Sequence, residues 1–154
     1  MGRAAVVGRQ PDGRLVPGMR SLLAVPIAPG GLPAVRLQVE AIARECGMSA
    51  DRASDWVTAV NELMANAVRH GGGTGDLRIW LDGDLCCEVR DHGPGFAAEP
   101  YLRRLDRPVP SVHGGMGLWI ARQMSDSMEI DSGPSGTVVR LRTRMGGDTW
   151  GGEA

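Results

Sequence analysis

The sequence predicts an α/β two-layer sandwich, in which a mixed, largely antiparallel sheet carries its helices on one face. Two stretches of helical apolar spacing come early, two alternating hairpin patterns come later, and a short third helix separates the hairpins. A length of 154 residues is read as one domain around a single core.

Residues 1–20, rich in Gly, Pro and Arg and without periodicity, are expected to be a flexible arm ahead of a domain spanning 21–144. Ser21 to Ala28 (SLLAVPIA) reads as a strand, and Pro26, with no N–H to donate, places it at a sheet edge. From Pro33 to Cys46 the residues Val35, Val39, Ile42 and Cys46 recur at helical spacing, with Pro33 suited to the first turn and Gly47 to the stop. A second helix should follow Ser49 as N-cap and run to about His70, with Ala53, Trp56, Val57, Val60, Met64, Ala67 and Val68 on one side. The run Gly71-Gly72-Gly73 ends it.

Leu77, Ile79 and Leu81 alternate with Arg78 and Trp80. After the Asp82-Gly83 turn, Leu85, Cys87 and Val89 alternate with Cys86, Glu88 and Arg90. The expectation is an antiparallel hairpin with one buried face. His92 to Gly115 is irregular, and a helix from about Gly117 to Ser125 should turn Leu118, Ala121 and Met124 inward. Met128 and Ile130, the Gly133-Pro134-Ser135-Gly136 turn, and Val139 with Leu141 make a second hairpin, and residues 145–154 read as a flexible tail.

Composition narrows the function. A formal net charge of −1, with basic residues dispersed along the chain, offers no attraction to nucleic acid or an anionic membrane. No apolar run approaches the roughly 20 residues that cross a bilayer, and no leader pattern is seen, so a cytoplasmic location is expected. Three cysteines without a C-x-x-C pair argue against structural disulfides or zinc. All 17 basic residues are arginine, which excludes any mechanism built on a lysine, including the P-loop and the strand lysine of eukaryotic-type protein kinases.

Three clusters carry chemistry. Asp55, Thr58, Glu62, Asn66 and Arg69 form one stripe beside the apolar face of the second helix, so Glu62 and Asn66 point the same way. The second hairpin strand ends in Asp91-His92-Gly93-Pro94-Gly95-Phe96. A carboxylate there accepts a hydrogen bond from an exocyclic amine, while the glycines let a flat ring approach the backbone. Gly114-Gly115-Met116-Gly117 opens a helix, whose free N–H groups suit phosphate oxygens. Each cluster alone is a common surface helix, turn or loop; their order and separation make the combination specific.

The runs NELMANAVRHG, VRDHGPGF and GGMGLWIARQMSD resemble the N, G1 and G2 boxes of the GHKL, or Bergerat-fold, ATPases, and GTVVRLR resembles the closing strand of that domain. Within the superfamily the short lid and the wording ELMANAVRHG are similar to the RsbW/SpoIIAB branch of anti-sigma-factor serine kinases. The resemblance implies ATP and Mg²⁺ as cofactors, with Asn66 holding the metal and Asp91 binding the adenine amine. It also implies that Gly93 and Gly95 line the base pocket, that Gly115 and Gly117 wrap the phosphates, that Thr137 helps bind the nucleotide, and that Glu62 is the general base. Residues 97–114 correspond to an ATP lid, with Arg103, Arg104 and Arg107 as its positive charges. His113 stands where family members carry a basic side chain, and a histidine is largely neutral at pH 7.

The implied function is an anti-sigma factor that regulates a sigma factor and phosphorylates a serine or threonine of a STAS-domain antagonist, with homodimerisation through the sheet. Two rivals accompany it. One is a nucleotide-sensing binding module without phosphotransfer, which His113 motivates, and the other is a detached histidine-kinase catalytic domain. His70, at the end of the second helix, reads as a helix terminator rather than a catalytic group.

Overall fold

The computed structural model describes residues 19–95 and 116–145. In chain order these build β1 (Arg20–Ile27), α1 (Leu32–Glu45), α2 (Ala50–His70), β2 (Gly75–Asp82), β3 (Asp84–Asp91), α3 (Met116–Gln123), β4 (Ser127–Gly133) and β5 (Gly136–Thr143). The strands form one five-stranded sheet in the order β1-β2-β3-β5-β4. All four pairings are antiparallel, so no parallel pair occurs among the described residues of a sheet expected to be mixed.

Local chemistry sets the boundaries. β1 is an edge strand with Pro26 opposite Asp76, where a missing N–H costs the ladder least. Proline sits in the first turn of α1, as its fixed φ favours. The Ser49 hydroxyl accepts the Arg52 N–H at 3.3 Å and caps α2, while Asp51 in the first turn and Arg69 and His70 in the last complement the helix dipole. Gly83 alone joins the paired Asp82 and Asp84, and its φ of 72° is one that L side chains rarely adopt.

The core lies between α2 and the inner face of the sheet. Trp56, Val60 and Met64 of α2 are completely buried, as are Leu77, Ile79, Leu85 and Cys87 across from them. α1 adds Val39, Ile42 and Ala43, and α3 adds Leu118 and Ala121. This is the two-layer arrangement the periodicities predict.

Two expectations need correction. Met124 does not turn inward: it stands just past the last residue of α3 and is 36% exposed, although its N–H still closes the helical bond to the Ile120 carbonyl at 3.0 Å. The β2–β3 hairpin is not buried on one face only, since Trp80, Cys86 and Glu88 on the opposite face are also buried. Register explains this. Arg78, Glu88, Arg140 and Glu129 form one row across the outer face, and Trp80, Cys86, Arg142 and Ser127 form the next. Arg140 Nε lies 3.0 Å from Glu88 Oε2, and Arg142 bridges Asp84 at 2.9 Å and Asp82 at 3.4 Å. Paired this way, Arg140 stands beside Glu88 and Arg142 beside Cys86, and aliphatic stems of that length can shield such neighbours from water.

Candidate functional site

α2 carries the predicted stripe. Glu62 and Asn66 are both half-buried, one helical turn apart beside the fully buried face of Leu63 and Met64. At the far end of the helix, Gly71 donates its N–H to Ala67 O at 2.8 Å and brings α2 against the end of β3.

Asp91 is the node of this end. It is buried, and its Oδ1 accepts the N–H of Gly93 at 3.0 Å and that of Thr137 at 3.1 Å. One carboxylate oxygen thus ties the strand end, the turn after it and the first residues of β5 together. No described hydrogen bond reaches Oδ2, which lies over Gly71. Thr137 is itself buried, with Oγ1 2.7 Å from Ser132 Oγ across the β4–β5 hairpin.

The glycines permit these approaches. A Cβ at Gly93 would stand 2.7 Å from the Gly71 backbone, and one at Gly95, whose φ is +81°, would overlap the Gly133 carbonyl. At the other end of the site, a Cβ at Gly117 would stand 2.8 Å from Glu62 Oε2, so the carboxylate rests on the first turn of α3. Asp91, Gly93, Gly95 and Thr137 therefore gather at one end of α2, and Glu62 and Gly117 meet nearer its middle. Glu62 and Gly71 stand nine positions apart, about 13.5 Å along the helix. Gly115, the lid residues 97–114, its three arginines and His113 lie outside the described residues.

Residues 25–143 match the histidine kinase-like ATPase domain family. The chain belongs to that family. This ATPase domain is 29% identical over 125 residues to the anti-sigma F factor of Thermoanaerobacter sp. (strain X514), covering 73% of this chain and 85% of that protein. It is 27% identical over 136 residues to the serine-protein kinase RsbW of Bacillus velezensis, covering 80% and 84%. In fold it is similar to the RsbU and RsbW domains of Rv1364c from Mycobacterium tuberculosis, with a TM-score of 0.58 at 23% identity. The likeness covers 86% of the ATPase domain and 33% of that longer chain.

Family membership makes ATP the ligand class of the domain. Half-buried Asn66 carries a neutral amide oxygen, a donor that suits a cation arriving with its own anionic ligands, and among the described residues no group of three or more His, Cys, Asp or Glu is placed to hold a metal. A separate cavity of about 440 Å³ opens between α1 and the start of α2, lined by Arg36, Arg44, Met48 and Val57 among others; of the α2 stripe only Thr58 reaches it, and neither Glu62 nor Asn66 does. Sequence reasoning read Gly71 only as a helix stop, gave Ser132 no part and placed Gly136 only in a hairpin turn, whereas a Cβ at Gly136 would overlap the Asp91 backbone carbonyl. The G-G-G run was the available signal for the first, because one glycine suffices to end a helix.

Proposed function

We propose that this ATPase domain is an ATP- and Mg²⁺-dependent anti-sigma factor that sequesters a sigma factor and phosphorylates a serine or threonine of a STAS-type antagonist protein. The observation that carries the reading is the division of labour along α2: a carboxylate with one oxygen left for a ligand at its end, and a half-buried Glu62–Asn66 pair a few turns earlier. The relatives named anti-sigma F factor and serine-protein kinase RsbW support it.

In this reading Asp91 Oδ2 accepts the exocyclic amine of adenine, and Gly93 and Gly95 let the ring lie on the backbone. Thr137 fixes Asp91 from the β5 side. Asn66 offers a neutral amide oxygen to the metal, and Gly115 and Gly117 offer backbone N–H groups to the phosphates. When bound, ATP supplies the γ-phosphoryl group and Mg²⁺ neutralises its charge. Glu62 accepts the proton of the incoming hydroxyl as its oxygen bonds to phosphorus and ADP departs. The work left to the protein is alignment and proton removal. Among the described residues no helix is long and apolar enough to cross a membrane, and the reading puts the protein in the cytoplasm, with a second copy packed through the sheet.

Incubation with labelled ATP, Mg²⁺ and the STAS protein encoded nearest in the genome should yield phosphoserine or phosphothreonine. An antagonist left unlabelled at every protein ratio would eliminate the kinase and leave the binding module that His113 favours.

A further inference from the structure

We propose that Gly71 is a positioning residue for base selection, holding Asp91 so that a single carboxylate oxygen faces the nucleotide; the inference rests on the adenine-binding reading of Asp91. Gly71 has φ −104° and ψ 30°, a conformation open to L-residues, so backbone freedom does not explain a glycine there. Space does. A Cβ built on Gly71 would overlap the Asp91 carboxylate and stand 2.6 Å from its Cβ, while a Cβ on Gly93 would stand 2.7 Å from the Gly71 Cα. The C-terminus of α2 and the turn after β3 are interlocked through two bare Cα atoms.

The consequence falls on Asp91. The χ2 torsion of an aspartate is broad and roughly two-fold, so the side chain alone does not decide which oxygen faces where. Here Oδ1 is taken by the N–H groups of Gly93 and Thr137, and the flat surface of Gly71 leaves room for Oδ2 on the other side. One oxygen serves the fold and the other is pre-aimed as an acceptor, so no ordering cost remains when a donor arrives. A methyl group at position 71 displaces the carboxylate, breaks that alignment, and removes the preference for a base that donates over one that accepts.

The test is calorimetric titration of the full chain, at millimolar Mg²⁺, with ATP and with inosine triphosphate, whose ring presents a carbonyl where adenine presents an amine. Wild type should bind ATP more tightly, and Gly71→Ala should lose about tenfold in ATP affinity, the worth of one hydrogen bond, with little change for inosine triphosphate. Unchanged ATP binding in Gly71→Ala, or an equal loss for both nucleotides, overturns the proposal while leaving the nucleotide site intact. Wild type that binds neither nucleotide overturns the functional reading itself, and equal binding of the two by wild type overturns the adenine role of Asp91 and this proposal with it. Thermal unfolding covers a Gly71→Ala chain that does not fold. Adding Gly71→Ala to Asp91→Gly should then cost no further stability, because the oxygen, Cγ and Cβ it strikes are all gone, and a double variant unfolded where Asp91→Gly is folded refutes the contact.

Discussion

The carboxylate of Glu62 on α2 rests against Gly117 in the first turn of α3, so a methyl group added at position 117 would stand 2.8 Å from Oε2. Alanine is favoured over glycine inside a helix by about 1 kcal/mol, and the struck atom is the end of a flexible side chain. Gly117→Ala should therefore leave the melting temperature equal or slightly raised while phosphotransfer falls. A melt by circular dichroism beside a labelling assay separates the two effects.

Removing the carboxylate tests its role directly. Glu62→Ala should reduce phosphotransfer by about 10²–10⁴-fold, the usual worth of a general base, with ATP affinity nearly unchanged. Single-turnover labelling and calorimetry on the same preparation decide it. A binding module would instead regulate its partner in cells as well as wild type does.

Asp91→Ala strands the N–H groups of Gly93 and Thr137, which now share Oδ1. Each buried, unsatisfied donor costs about 1–3 kcal/mol, so the variant should unfold at clearly lower urea concentration. Asp91→Asn keeps one acceptor oxygen for these donors and should retain most of the stability, yet lose ATP affinity.

The outer face of the sheet gives a stability prediction independent of the nucleotide. Arg140→Ala leaves Glu88, only 5% exposed, without its 3.0 Å partner and should destabilise by about 3–5 kcal/mol. The exposed Arg36–Glu40 pair at 3.7 Å should be worth only about 0.3–0.5 kcal/mol. Urea titrations of Arg140→Ala and Arg36→Ala make the comparison.

Thiol chemistry should be quiet in the folded state. Burial pushes the Cys86 thiol from its ordinary 9.0 up to about 11 and raises Cys87 further, while half-buried Cys46 is raised by burial and then by the Glu45 carboxylate. Alkylation at pH 8 should modify Cys46 first and reach the other two only after denaturation. The folded chain holds the Cys86 proton more tightly than the unfolded one. This contribution to stability is thus complete below about pH 9 and lost as pH rises through about 11, which urea titrations at alkaline pH will register.

Much of the architecture was legible because periodicity and punctuation agreed: Ser49 before an apolar helical stripe, a lone Gly83 between alternating strands, Pro26 at an edge. The outer face of the sheet was not legible. Nothing local to Arg140 and Arg142 reveals that each pairs with acids more than fifty residues away. The site was legible as motifs and illegible as contacts. Asp91 and the glycines announce themselves in order along the chain, whereas the fit of Gly71 to Asp91 depends on where a helix end and a strand end meet in space.

The bond from the Thr137 N–H to Asp91 spans 46 residues and involves the second residue of the last strand. A growing polypeptide on the ribosome therefore has its helix, turn and glycines long before it can orient the aspartate. Nucleotide competence should switch on late in synthesis, once the closing hairpin has emerged, so a prematurely terminated product is silenced by its own missing edge.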